Sequence, residues 1–417
     1  MPVKTSRVPH RSCVSFFALI LGLLTLTGCS GSAKPPIVCS TSNGGDCSCG
    51  GSSTAACPAQ VQEVLYSLGG TFSTGTQFQI FPINPTTGTL GSPAVESGVS
   101  LQGNIAITPS GQFYYAADDN EIYGYSIGPG GALTALTGSP FPEHFLNPLD
   151  MTVDPDGKFL YVSDTADASV AVFDIDSSTG APSEVTGSPF SNNSLYTNRV
   201  ALTPSGNFLY VIDGGSDTGI VGLSAYSVNR ATGSLTPVSG GTFTYSGGDG
   251  EFFDIAVHPS GKFLYFSEDD GIHAFTIDSN TGALTQFPSQ PLVALPSPFQ
   301  ITLNSSGTVL YVAVGGADTI AAYSLNPSSG ALIEVAGSPY RIGPSPAPAR
   351  VLFSFALDPL DQFLYVSEGE ISSTFGIMEF SVNSGTGALT QLGIVPGESG
   401  SDFGPFWPVP FAAVRTP

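Results

Sequence analysis

Hydrophobic and polar positions alternate in short runs along this chain from about residue 61 onward, and the runs repeat. The segment Ser205-Gly206-Asn207-Phe208-Leu209-Tyr210-Val211 recurs with small variations, its tyrosine returning as Tyr66, Tyr115, Tyr161, Tyr265, Tyr311 and Tyr365. Unit four shows the full pattern. Ile255-Ala256-Val257 is an apolar strand, and His258-Pro259-Ser260-Gly261 is a turn in which proline presets φ and glycine accepts a positive φ. Phe263-Leu264-Tyr265-Phe266 returns, and Ile272 to Ile277 alternates as a third strand. Asn280-Thr281-Gly282-Ala283-Leu284 then predicts a hairpin into a fourth strand, a signal found seven times, at Gly88, Gly131, Gly180, Gly233, Gly282, Gly330 and Gly387. A period of about fifty residues made only of strands and turns predicts an all-β, seven-bladed β-propeller with one four-stranded antiparallel sheet per repeat.

The first strand carries a small residue at its centre in each complete unit: Ala106, Thr152, Ala201, Ala256, Thr302 and Ala356. This is expected where sheets converge on the axis and leave no room for bulk. The seventh blade is split, because the chain enters the repeats on a second strand at Val64 to Leu68 and leaves on a first-strand-like Phe411-Ala412-Ala413-Val414. Both termini in one sheet close the ring and remove its open edges. The 51 glycines and 34 prolines suit short strands and tight turns.

Ahead of the repeats, Lys4, Arg7 and Arg11 precede an apolar run from Val14 to Leu26, shorter than the roughly 20 residues that cross a bilayer. Leu26-Thr27-Gly28-Cys29 resembles the bacterial lipobox, which implies that residues 1–28 are a removed lipoprotein signal peptide and that Cys29 is lipidated. Residues 29–60 then form a Ser/Gly/Cys-rich tether and residues 61–417 the propeller. The expected location is an exported lipoprotein, periplasmic or anchored at the outer membrane or cell surface. Cys39, Cys47, Cys49 and Cys57 all fall in the tether, where disulfides are expected with three connectivities open.

The chain's formal net charge is −22. Such an acidic surface excludes nucleic acid as a partner and repels anions while drawing in cations. The partners expected are the membrane, through Cys29, and an envelope protein or a small neutral or cationic ligand, with the chain itself a monomer. There is no Cys-x-x-Cys-His for haem, and a single tryptophan, Trp407, argues against a sugar-binding propeller with several aromatic platforms.

Two polar rings fall on the face where the loops after strands two and four converge. The first lies just before strand one and comprises Asn104, Asp150, Arg199, Asp254, Gln300 and Ser354, the expected ligand-binding mouth. The second lies three residues after the repeat tyrosine: Asp118, Asp164, Asp213, Glu268 and Glu368. Carboxylates there commonly cap loops by accepting backbone N–H groups. The run Glu268-Asp269-Asp270 is the densest, and Ca²⁺, which takes six to eight oxygens, is the ion it would suit; no cofactor is otherwise required.

The repeats across residues 61–417 resemble the Tyr-Val-Thr-Asn repeat propellers and the lactonase-type seven-bladed propellers, a family that includes 6-phosphogluconolactonases. That resemblance implies an Arg-His pair six and five residues ahead of the turn proline. No unit here has it, so Asp150 or Asp254 would have to replace the histidine as base, with Arg199 as oxyanion donor. His144, beside Glu143 on a loop feeding the mouth, is the other candidate base. The missing pair favours an envelope-anchored ligand-binding or protein-interaction module; the alternative is a lactone hydrolase using Asp150, Arg199 and His144.

Overall fold

The structure is a computed structural model that describes residues 62–71, 75–96, 105–118, 121–142, 147–192, 197–215, 220–245, 252–315, 319–342, 350–370, 374–399 and 411–416. The chain divides into two units, residues 1–58 and 59–417, and every described residue belongs to the second. Seven antiparallel sheets follow one another, and the described residues contain no α-helix, only a 3-10 turn at Pro129–Gly131. Blades 1 to 6 open on first strands Ile105–Ile107, Pro148–Val153, Thr197–Leu202, Phe252–Val257, Pro298–Leu303 and Arg350–Leu357. In blade 7, Phe411–Thr416 pairs antiparallel with Gln62–Thr71, so the split blade inferred from the two ends of the repeat region is present.

Second strands such as Phe159–Asp164, Phe263–Glu268 and Val309–Val314 are buried at every position, because each sheet is covered by neighbours on both faces. Their tyrosines are fully buried. Each tyrosine pairs across the sheet with the small residue of strand one: Tyr115 with Ala106, Tyr161 with Thr152, Tyr265 with Ala256, and Tyr66 with Ala412 in the split blade. Thr152, Ala201, Ala256, Thr302 and Ala356 remain partly exposed. The small residue therefore lies opposite the tyrosine that shares its face of the sheet.

Six of the seven tyrosines reach the next blade. The hydroxyls of Tyr66, Tyr115, Tyr210, Tyr265, Tyr311 and Tyr365 donate to the carbonyls of Gly131, Gly180, Gly282, Gly330, Gly387 and Gly88 at 2.6–3.0 Å. These are the hairpin glycines, all with φ between 70° and 79°. A side chain at Gly330 would also meet the Phe263 ring at 2.8 Å, so the position needs glycine for backbone and for packing alike. In six hairpins an Asn or Asp caps the turn; Asn326 Oδ1, for example, accepts from the N–H groups of Ser328 and Ser329 at 2.9 and 3.1 Å.

In blades 1 to 5 the fourth strand is interrupted. After Pro182–Glu184 the chain leaves strand three at a Gly-Ser-Pro turn and rejoins it at Phe190–Ser191. Ser188 Oγ fills the gap by accepting from the N–H of Val172 at 3.0 Å, and Ser139, Ser338 and Gln290 do the same for Gly124, Ala322 and Ala274.

Tyr265→Phe is expected to destabilise the propeller by about 1–2 kcal/mol, because it leaves the buried Gly330 carbonyl without its donor. Tyr161→Phe is expected to be neutral or stabilising, since the buried Tyr161 hydroxyl has no hydrogen-bond partner. Chemical denaturation of the two variants checks this; equal losses would show that the bond is not what the tyrosine contributes.

Candidate functional site

The two polar rings meet at one end of the blades. In blade 4, Asp254 pairs with Ser267 and Phe252 with Glu268. A β-bulge falls here in each of blades 2 to 6, for instance between Thr197 and Val200, and between Pro298 and Ile301. An extra residue in one strand re-aims its neighbours, and here ring side chains reach sideways to the following blade. Asp150 Oδ2 accepts from the Val200 N–H at 2.9 Å, Asp254 Oδ2 from Ile301 at 3.0 Å, and Gln300 Oε1 from Phe355 at 2.7 Å. Arg199 bridges blades 3 and 4 in the opposite sense, donating from Nε to the Phe253 carbonyl at 3.0 Å. Four consecutive blade junctions are thus held by first-ring side chains. Beneath them lie buried serines: Ser267 Oγ donates to the Phe299 carbonyl at 3.0 Å and Ser367 Oγ to that of Ser354 at 3.1 Å.

Three of these ring residues form a charged group. Arg199 Nη1 stands 3.9 Å from Asp150 Oδ1, and both side chains are largely buried, at 14% and 16% exposure. Desolvation lifts the Asp254 carboxyl to about 6; Arg199 and the Ile301 and Ile255 N–H groups restrain the rise, and Asp150 adds to it. Each Asp254 oxygen accepts one backbone N–H, from Ile255 and from Ile301. A carboxylate has roughly four acceptor sites, so capacity remains for a water molecule. A carboxyl poised just below neutrality is suited to take a proton from that water, and a neighbouring guanidinium to stabilise the oxyanion that results.

The second ring is less uniform. Asp164 caps its loop, accepting from the N–H groups of Asn147 and Ala166 at 3.0 and 3.2 Å. Glu268 is fully buried, with Oε2 at 3.1 Å from His273 Nε2, and the same nitrogen lies 2.6 Å from Asp270 Oδ1. Burial pushes the Glu268 carboxyl up to about 7, with Asp270 and Asp269 adding to the rise. The trio that converges is Glu268, Asp270 and His273, without Asp269. By position alone His273 reads as a structural residue of strand three. The cross-strand register could have found it: Glu268 pairs with Gly271 and Phe266 with His273, which places His273 on the face that Glu268 shares. Ser354 is buried. His258 is held in the far turn, its Nε2 at 2.8 Å from the Gly307 carbonyl. Asn104, Glu143, His144, Cys29 and the tether cysteines lie outside the described residues, as do the side chains of Asp118 and Glu368.

The sequence matches the model of a family described as Lactonase, 7-bladed beta-propeller, over residues 60–195 and 224–353. Among solved structures it is similar to a periplasmic gluconolactonase of Pseudomonas aeruginosa, at 18% identity and a TM-score of 0.66, covering 86% of this chain and 100% of that one. It is likewise similar to a Bacteroides fragilis protein provisionally named 6-phosphogluconolactonase, at 18% identity and a TM-score of 0.65, with coverage of 87% and 100%. A Lactobacillus plantarum protein aligns at 19% identity and a TM-score of 0.63, with coverage of 84% and 99%. At these identities the likenesses establish the fold. None of the curated proteins matches.

Between blades 2 and 3 a further carboxylate is buried. Asp213 accepts from Asn192 Nδ2 and from Ser224 Oγ, and Tyr226 donates to Asn192 Oδ1 at 2.7 Å. Desolvation raises the Asp213 carboxyl to about 7, with Ser224 holding it back. The folded state therefore takes up a proton that an unfolded aspartate, titrating near 3.9, has already lost. The stability this brings is complete below about pH 4 and lost as pH rises through 7. Asp213→Asn is expected to remove a loss on the order of 3 kcal/mol between pH 4 and pH 8. Denaturation curves across that range test it; an unchanged slope in the variant excludes Asp213 as the source.

Proposed function

The chain belongs to the lactonase family of seven-bladed β-propellers, and on that footing we propose that it is a lactone hydrolase working through Asp254, Arg199 and Asp150 at the propeller mouth. The observation that carries this reading is a partly buried carboxyl, lifted to about 6, beside a guanidinium anchored to the same blade. In the proposed reaction Asp254 takes a proton from water as the water oxygen adds to the lactone carbonyl. Arg199 N–H groups stabilise the oxyanion, and Asp150 positions the guanidinium. Collapse of the tetrahedral intermediate breaks the ring C–O bond, and the proton held by Asp254 passes to the departing ring oxygen, leaving an open hydroxy acid.

A neutral sugar lactone fits better than a phosphorylated one. The Arg199 charge already answers Asp150 and Asp254, and a chain of net charge −22 repels a phosphate dianion. The similar Pseudomonas protein is named for gluconolactone and for the periplasm, which supports both the substrate class and export. Export and anchoring through a lipid on Cys29 belong to the same proposal. A second reading, a ligand-binding or protein-interaction module without turnover, is favoured by the backbone bonds that engage Asp150 and Asp254.

In a pH-stat assay of the full chain against neutral and phosphorylated aldonolactones, hydrolysis of the neutral substrates is expected to exceed the buffer rate. The rate should rise through about pH 6 and level off above it, because the base acts ionised. Asp254→Asn and Arg199→Ala should each lower kcat by about 100-fold or more. Rates at the buffer level across the panel would leave the binding module standing. For the anchor, Cys29→Ser is expected to move the protein from the detergent phase to the aqueous phase on partition and to abolish palmitate labelling; unchanged partition would remove the lipid anchor from the proposal.

A further inference from the structure

We propose that Glu268, Asp270 and His273 form a binding site for a divalent transition-metal ion, zinc above all, at the mouth end of blade 4. The three side chains come from one hairpin. Glu268 ends the strand Phe263–Glu268, His273 lies in the strand Gly271–Ile277, and Asp270 sits in the turn between them. One ligand atom from each falls within 4.8 Å of the others. The hairpin is fixed from outside, since the carbonyls of Asp270 and Asp269 accept from the N–H groups of Leu295 and Ser297, both at 3.1 Å. The His273 ring is set by its stack on Phe266, at 5.1 Å between centroids.

What points to a ligand is Glu268. Its side chain is fully buried, and Oε1 has no hydrogen-bond partner. A carboxylate taken out of water with an oxygen unsatisfied is strongly unfavourable, and a coordinated cation supplies the missing interaction. The donor set then selects the ion. Calcium, the ion expected from the Glu268-Asp269-Asp270 run, takes six to eight oxygens, whereas this trio offers two carboxylates and an imidazole nitrogen. Zinc takes four ligands from such a mixture, leaving a position for water. His273 Nε2 lies 2.6 Å from Asp270 Oδ1 and 3.1 Å from Glu268 Oε2. Ligand atoms around zinc stand roughly 3.3 Å apart, given bonds of about 2.0–2.1 Å. To take zinc, Asp270 Oδ1 must move away from His273 Nε2 by about 0.7 Å and Glu268 Oε2 by about 0.2 Å, and the exposed Asp270 side chain has room to move. The site shares no residue with the lactonase reading and stands without it.

The test is equilibrium dialysis of the protein, its tether cysteines reduced and alkylated, against zinc chloride and separately against calcium chloride. One equivalent of zinc is expected, bound at least tenfold more tightly than calcium. Asp270→Asn, on an exposed side chain, should weaken zinc binding tenfold or more, and His273→Gln should abolish it. Asp269→Asn should leave it within twofold. Should His273→Gln fail to fold, Asp270→Asn decides. Absence of a saturable equivalent, zinc affinity unchanged in Asp270→Asn, or calcium bound more tightly than zinc would each overturn the assignment.

Discussion

The hydrogen bond from the repeat tyrosine to the hairpin glycine of the following blade is the constraint on which the ring depends. It joins the second strand of one sheet to the outer hairpin of the next, so neither blade can rotate or slide without breaking it. It also explains three features of the repeat together. The glycine turns its carbonyl toward the tyrosine by taking a positive φ, the aromatic that opens strand two fills the space a side chain would claim, and the small residue of strand one lies opposite the tyrosine ring. The bonds from Tyr365 to Gly88 and from Tyr66 to Gly131 apply the same device on either side of the split blade, so the closing blade is latched as firmly as the others. In a repeat array each unit is stabilised through its neighbours, and closure gives every unit two.

At the mouth a second set of bridges runs through side chains. Asp150, Arg199, Asp254 and Gln300 each reach the main chain of the adjoining blade. Their partners are backbone N–H and C=O groups, which every residue provides, so the bridging residue is free to be acid, base or amide. The bond fixes where the side chain lies without dictating its charge. This is how a charged group can be held rigidly at a mouth built from repeats, and rigid placement is what catalysis by pre-set charges requires.

Much of the fold was legible because it is periodic. The tyrosine, the turn proline and the hairpin glycine recur with the blade, and the strand signals beginning at Val64 and ending at Val414 leave one sheet to be shared by both termini. The interruption of strand four was not legible, because Ser188 replaces a ladder bond through a side-chain oxygen, and nothing in Thr-Gly-Ser-Pro distinguishes that from an ordinary turn. The role of the first ring was half legible. Its polar character at the start of an apolar strand showed in the sequence, but the bulge that sends Asp254 toward the next blade shifts the alternation by one residue, and counting along the strand does not reveal it. His273 was missed for a related reason: its partners lie across a hairpin whose register only the paired strands define.

The distribution of charge around the mouth separates what the fold needs from what it does not. Blade 5 makes its lateral bridge with the neutral Gln300 and carries Val314 where blades 2, 3 and 4 carry Asp164, Asp213 and Glu268. A neutral residue therefore satisfies the architecture at either ring. Yet blades 2 to 4 bring Asp150, Arg199 and Asp254 together on the inner ring, and burial lifts the carboxyls of Asp213, Asp254 and Glu268 to about 6 or 7. Holding carboxyls in that state costs stability near neutral pH, since each opposes its own ionisation. Blades 2 to 4 thus gather in one sector the carboxyls that burial raises, while blade 5 closes its junction with the neutral Gln300.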